Sequence, residues 1–174
     1  FPIHREEIAL GPLVEETIEF FRTSFEARNI VLDCLIAPDV TVASDRRALS
    51  QILSNLLSNG LKYTEPSGRV SVTLAAATAT DRAQIIVSDT GRGIPRDELA
   101  LVFEPYFRGS ADVAREINGT GLGLPIVKKI IDEHGGTLIL ADAPAFDSSG
   151  RCGAMAIITL PIMAAPALPQ SMTA

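Results

Sequence analysis

Leu49, Ile52, Leu53, Leu56 and Leu57 recur at intervals that place all of them on one stripe of an α-helix. A stripe this continuous has to be laid on a core, so the chain must build a layer for this helix to cover. Ser44 or Asp45 supplies a cap, and the pattern predicts a helix from Asp45 to about Tyr63. Around it the hydrophobic period changes repeatedly. Ile8 to Asn29 repeats Leu13, Val14, Ile18, Phe21 and Phe25 at helical spacing, and Ile30 to Ile36 reads as a strand closed by Ala37-Pro38-Asp39. After the turn Glu65-Pro66-Ser67-Gly68, Val70, Val72 and Leu74 alternate as a strand, and Gln84 to Ser88 is a mostly apolar central one. Leu124 to Glu133 predicts a third helix, stopped by His134-Gly135-Gly136, and Thr137–Leu140 and Ala154–Leu160 predict two more strands. The order predicts one α/β domain, a mixed sheet with helices on one face.

Composition removes several function classes. With 47% hydrophobic and 21% charged residues the chain is globular in composition. Its apolar runs are short and cut by charge, which excludes a membrane-spanning helix. Lys and Arg number 15 against 21 Asp and Glu, a net of −6, which argues against a basic face for nucleic acid. Cys34 and Cys152 form no CxxC pair and are expected to be buried, reduced thiols. With only His4 and His134, a His-rich metal site is not expected. The opening at Phe1 reads as the start of a fragment of something longer.

Three segments carry chemistry. On the second helix Asn55, Asn59 and Lys62 lie within roughly 60° of one another, away from the apolar stripe. Asn carbonyls are hard oxygen donors suited to Mg²⁺, and an ammonium suits phosphate; the same face also fits a solvated polar surface. Next, Ile85-Ile86-Val87-Ser88-Asp89-Thr90-Gly91-Arg92-Gly93-Ile94-Pro95 delivers a carboxylate from the end of a buried strand, with two glycines that let backbone approach a ligand. A carboxylate there accepts from the exocyclic amine of adenine and opposes the carbonyl of guanine, although an Asp-Gly turn ending a strand is also common. Finally, Asn118-Gly119-Thr120-Gly121-Leu122-Gly123-Leu124 leads into a helix and offers backbone N–H groups to an anion. It is neither a Walker A loop nor a Rossmann fingerprint. Between the second and third segments, residues from about Arg96 to Asn118 read as a lid, anchored by Leu99, Val102, Phe103 and Phe107.

In this order the segments resemble the catalytic and ATP-binding domain of bacterial sensor histidine kinases, within the wider family of gyrase, Hsp90 and MutL. Asn55-x-x-x-Asn59 with Lys62-Tyr63-Thr64 matches the N box and Asp89-x-Gly91-x-Gly93 the G1 box. Phe103 to Arg108 matches the F box and Gly119 to Gly123 the G2 box. The resemblance covers about residues 5 to 161 and implies a Bergerat fold. That fold is an α/β two-layer sandwich of a mixed, mainly antiparallel sheet of about five strands against about three helices, with a flexible ATP lid.

By this likeness ATP and Mg²⁺ are the ligands. Asn59, assisted by Asn55, would hold Mg²⁺, Lys62 would contact phosphate, and Tyr63 would pack near adenine. Asp89 would read the amine, beside Gly91, Gly93, Ile94 and Phe107. The backbone of Gly119, Thr120, Gly121, Leu122, Gly123 and Leu124 would wrap the phosphates. Arg108 would reach the γ-phosphate, and Asn55, Lys62 and Arg108 form the implied catalytic set.

The likeness further implies a linker at residues 1–8 from a dimerisation domain, a catalytic domain at 9–161 and a disordered tail at 162–174. It implies two partners, a histidine-bearing dimerisation domain of the same parent chain and a response regulator, with no nucleic acid and no membrane contact. The implied parent is a homodimer with this domain in the cytoplasm, membrane-anchored or not. Alternatives in the same fold are a degenerate module that only docks a partner, and a serine kinase of the anti-sigma type, which the long lid and F box disfavour.

Gly60 departs from the usual Ala and should loosen the helix by up to about 1 kcal/mol away from the ligand face. Pro125 falls in a first helical turn, where a missing N–H costs little. Asn55 stands where hydrolytic relatives carry a glutamate base, so rapid ATP hydrolysis is not expected. His4 and His134 read as a linker residue and a helix cap, not as phosphoacceptors.

Overall fold

Alternation along residues 82–89 buries Ala83, Ile85 and Val87 on one side, and this segment becomes the middle strand of a five-stranded sheet. In chain order the strands are β1 (Glu6–Ala9), β2 (Val31–Ile36), β3 (Thr41–Ser44), β4 (Arg69–Ala77), β5 (Arg82–Asp89), β6 (Thr137–Asp142) and β7 (Ala154–Pro161). The helices are α1 (Leu10–Ala27), α2 (Arg46–Tyr63), α3 (Ser110–Ala114) and α4 (Gly123–Glu133). This computed structural model describes residues 4–77, 79–114, 119–145 and 152–162.

The large sheet runs β2-β4-β5-β7-β6; only β2 and β4 are parallel, and the other neighbours are antiparallel. Val72 pairs with Val87, and Val87 with Ala156, so one buried row crosses three strands. Helices α1, α2 and α4 cover that row with Phe25, Leu49, Ile52, Leu53, Leu57, Val127 and Ile131, all at most 1% exposed. At about 1.5–3 kcal/mol for each large aliphatic or aromatic side chain removed from water, this layer is what holds α2 in place. The expected two-layer sandwich of five mixed strands under three long helices is the architecture found.

Two strands escaped the sequence reading. β1 and β3 form a small antiparallel sheet of their own, with Ile8 opposite Val42. The helix expected from Ile8 therefore begins at Leu10, because Ile8 and Ala9 are drawn into β1. Both thiols differ from expectation as well, since Cys34 and Cys152 are exposed. Cys34 lies on β2, an edge strand of the large sheet, and Cys152 lies just ahead of β7. Ile162 bridges back to Val42; the rest of the expected tail, residues 1–3 of the expected linker and residues 115–118 of the lid lie outside the described residues.

Both ends of α2 are fixed by side chains. Asp45 is its cap: Oδ1 accepts the N–H groups of Arg47 at 2.9 Å and Ala48 at 3.2 Å. The bond from Ala48, first among its causes, holds the Asp45 carboxyl below its ordinary pKa. At the other end Arg28 donates to the carbonyls of Leu61 at 2.9 Å and Thr64 at 3.3 Å, taking up acceptors that the helix leaves bare. The last turn of α2 is thus held where Lys62 and Tyr63 must project.

Candidate functional site

A cavity of about 500 Å³ opens between α2, the end of β5, the lid and the start of α4. Of the residues singled out in the sequence, Asn55, Asn59, Lys62, Tyr63, Asp89, Gly93, Ile94, Phe107, Arg108 and Gly119 to Leu124 all line it. Gly91 does not. It sits behind Asp89, where a Cβ would lie 2.5 Å from the Tyr63 carbonyl oxygen, so it permits the close approach of the G1 loop to the end of α2. Gly60 does line the cavity, contrary to its expected place away from the ligand, and packs against Val70.

Part of the cavity lining is apolar around a carboxylate. Val87, Leu140, Met155 and Ala156 contribute side chains from the sheet, and Asp89 stands at the end of β5 among them. Its Oδ1 accepts N–H from Gly91 at 2.8 Å and from Ala154 at 3.1 Å, while Oδ2 has no partner among the described residues. Burial pushes the Asp89 carboxyl above its ordinary pKa, and the two N–H groups oppose that shift without cancelling it. The Ala154 bond was not foreseen. It requires β7 to run against Asp89, and Gly153 makes this possible, because any Cβ there would overlap the Asp89 carbonyl oxygen.

The lining also gathers positive charge. The Lys62 ammonium is held below its ordinary pKa first by burial and then by the nearby Arg108 guanidinium. A lysine held down by burial and by a neighbouring cation would gain from an anion beside it. Lys62 Nζ lies 5.6 Å and Arg92 Cζ 5.2 Å from the centre of the Tyr63 ring, and burial raises the pKa of the Tyr63 phenol. Helix α4 adds its N-terminus: Leu122 gives no side-chain cap and no acidic residue occupies the first turn. Its first internal bond runs from Ile126 N–H to Leu122, so Pro125 forfeits nothing.

The glycine loop ahead of α4 is shaped by the lid. Tyr106 donates its N–H to Gly121 O at 3.0 Å, and Gly121 has φ +68° with a Cβ position only 2.6 Å from Phe107 O. No side chain fits there without moving the F box. Lys62 Nζ approaches this loop as well, 3.0 Å from the Cβ position of Gly119. Within the lid, Leu101–Phe103 form a 3₁₀ turn and α3 follows.

The donor set fits a nucleotide with a hard cation. The amide Nδ2 of Asn55 is buried with no hydrogen-bond partner among the described residues, an orphaned donor in the wall of the cavity. Among the described residues no group of three or more His, Cys, Asp or Glu could hold a metal. The side-chain carbonyls of Asn55 and Asn59, both in the cavity lining, are hard neutral oxygen donors of a kind that suits such a cation.

Residues 44–163 match the family described as histidine kinase-, DNA gyrase B-, and HSP90-like ATPase. The adaptive-response sensory kinase SasA of Synechocystis sp. is 32% identical over 150 residues, 86% of this chain but 38% of that protein. The chain thus spans well under half the length of this curated relative. Among solved structures, the mycobacterial sensor histidine kinase MprB superposes with a TM-score of 0.77 at 30% identity, covering 91% of this chain and 98% of that one. Full-length ShkA in complex with AMPPNP superposes with a TM-score of 0.78 at 26% identity, over 96% of this chain and 33% of that one.

Proposed function

Because this chain belongs to the family of histidine kinase-, DNA gyrase B- and HSP90-like ATPases, we propose that its cavity binds ATP with Mg²⁺ for phosphoryl transfer to a histidine. It is the ATP-binding catalytic domain of a sensor histidine kinase, and the acceptor lies on a separate dimerisation domain that passes the group to a response regulator. The observation that carries this reading is the meeting of two chemistries in the lining of one cavity. A carboxylate among apolar side chains suits adenine, and an uncapped helix N-terminus with Lys62 and Arg108 suits a polyphosphate. The solved ShkA complex with a nucleotide analogue supports it.

Asp89 Oδ2 accepts the exocyclic amine of adenine, and Tyr63, Ile94 and Phe107 flank the base. The backbone from Gly119 to Leu124 surrounds the phosphates, with Lys62 and Arg108 neutralising their charge. Asn59 and Asn55 would hold Mg²⁺, which would offset the negative charge of the phosphates. Asn55 has an amide where a base would be needed to activate water, so the chain favours transfer to an acceptor over hydrolysis.

That acceptor comes from outside this chain. The His4 main-chain N–H donates to Asp45 Oδ2 at 3.2 Å, and Asp45, the cap of α2, precedes Asn55 by ten residues, about 15 Å of helix. The His134 ring is buried, with Nδ1 2.7 Å from the Ile130 carbonyl oxygen, capping α4. In the parent protein, a homodimer in this reading, the expected domain bounds of 9 and 161 move outward to take in β1 and Ile162, because Glu6 to Ile8 pair with β3 and Ile162 bridges to Val42.

The test uses γ-labelled ATP with the chain alone and with the parent's dimerisation domain added. No label on the chain alone and acid-labile label on the added domain are expected. Acid-labile label on the chain alone that disappears in His4→Ala would place the acceptor here and contradict the reading.

A further inference from the structure

Arg92 falls between the two glycines of the G1 box, in a position that the sequence reading left without a role. Its guanidinium rests over the Tyr63 ring and pairs with Asp112 on α3. The pair joins the loop after β5 to the lid across twenty residues, and all three side chains line the cavity. It is more enclosed than an ordinary surface ion pair, with side chains 27% and 10% exposed, whereas the other ion pairs described are exposed by 40% or more on both sides. A second contact steadies the same helix from within the lid: Glu98 Oε1 accepts from Ser110 N–H at 3.1 Å and Oγ at 3.0 Å.

We infer that Arg92 is a positioning residue, latched to Asp112 so that the Tyr63 side of the site holds α3 across the mouth of the cavity and sets how fast nucleotide enters and leaves. The inference rests on the nucleotide reading above. Its energetics are lopsided. Asp112 is 7% exposed, so removing Arg92 strands a buried carboxylate, and the quickest relief is for α3 to swing outward into water. Removing Asp112 leaves a guanidinium that already reaches solvent and can stay on Tyr63. The latch therefore opens widely in Arg92→Ala and only modestly in Asp112→Ala. In the double variant nothing is left to drive α3 out, and the lid resembles that of Asp112→Ala.

The experiment compares the whole chain with Arg92→Ala, Asp112→Ala, the double variant and Arg92→Lys. Hydrogen exchange of residues 97–114 is followed without nucleotide, and a fluorescent ATP analogue is followed for its dissociation rate. Exchange and dissociation on the order of tenfold faster are expected in Arg92→Ala, with partial reversal in the double variant and in Arg92→Lys. An unchanged unfolding midpoint shows that the effect is local. Lid exchange in Arg92→Ala equal to that of the unaltered chain would overturn the latch whether or not nucleotide binds, as would single effects that multiply in the double variant. Failure of the unaltered chain to bind the analogue would instead overturn the nucleotide reading, and with it the kinetic role.

Discussion

Replacing Asp89 by Asn removes one charge and leaves its surroundings in place. The amide oxygen can keep both bonds that Oδ1 now accepts, from Gly91 at 2.8 Å and Ala154 at 3.1 Å, so no buried N–H is orphaned. Burial raises the Asp89 pKa in the folded protein. The folded state therefore holds this proton more tightly than the unfolded chain. The associated stability is complete below the ordinary value of 3.8 and is lost as pH rises through the folded value. At neutral pH the carboxylate is a cost that Asn does not carry, so Asp89→Asn should be at least as stable as the unaltered chain at pH 7. That advantage should shrink as pH falls toward 4.

Nucleotide binding should move the other way. An amide N–H₂ facing the adenine amine sets donor against donor. Losing a hydrogen bond to a charged group costs about 1.5–3 kcal/mol, or roughly 10- to 150-fold in ATP affinity. Thermal unfolding from pH 4 to 8, paired with displacement of a fluorescent nucleotide, reads both effects. A variant that binds ATP within about threefold of the unaltered chain, or loses more than about 2 kcal/mol of stability at pH 7, would refute the reasoning.

Asn59→Ala should weaken Mg²⁺-dependent nucleotide binding at least tenfold while shifting the unfolding midpoint little, because Asn59 is only part-buried at the cavity and its loss empties no core; titration with and without Mg²⁺ checks this. Gly121→Ala forces a side chain onto φ +68° and against Phe107 O, a local cost of about 1–3 kcal/mol, and nucleotide affinity should drop with little change in global unfolding. Gly60→Ala gains helix propensity of about 1 kcal/mol, but its Cβ would meet Val70 Cγ2 at 3.1 Å. Chemical denaturation should find a net change within about 0.5 kcal/mol, and a full kilocalorie of stabilisation would contradict that balance.

The parts of the fold that were legible in the sequence are those written by local periodicity. The stripe from Leu49 to Leu57 fixed which face of α2 is covered, and so placed Asn55, Asn59 and Lys62 together on the cavity. The apolar run ending at Asp89 likewise announced a carboxylate at the end of a central strand. What stayed hidden depends on contacts between distant segments. β1 and β3 are four residues each and exist by pairing with one another, more than thirty residues apart, so neither stands out alone. Arg92 and Asp112 look like solvated charges in a loop until the lid folds over them. Gly153 before β7 was the one available sign that backbone would come close to Asp89, and it reads as an ordinary turn residue without the sheet order.

The most direct test of the central claim is calorimetric titration of the unaltered chain with ATP, and then GTP, in the presence of Mg²⁺. The cavity with Asp89 at its apolar end predicts ATP binding at millimolar affinity or better. GTP should bind at least about tenfold more weakly, because guanine O6 would face the carboxylate and leave two buried acceptors unpaired. Equal affinity for the two nucleotides, or no heat from either at millimolar concentration, would contradict the account.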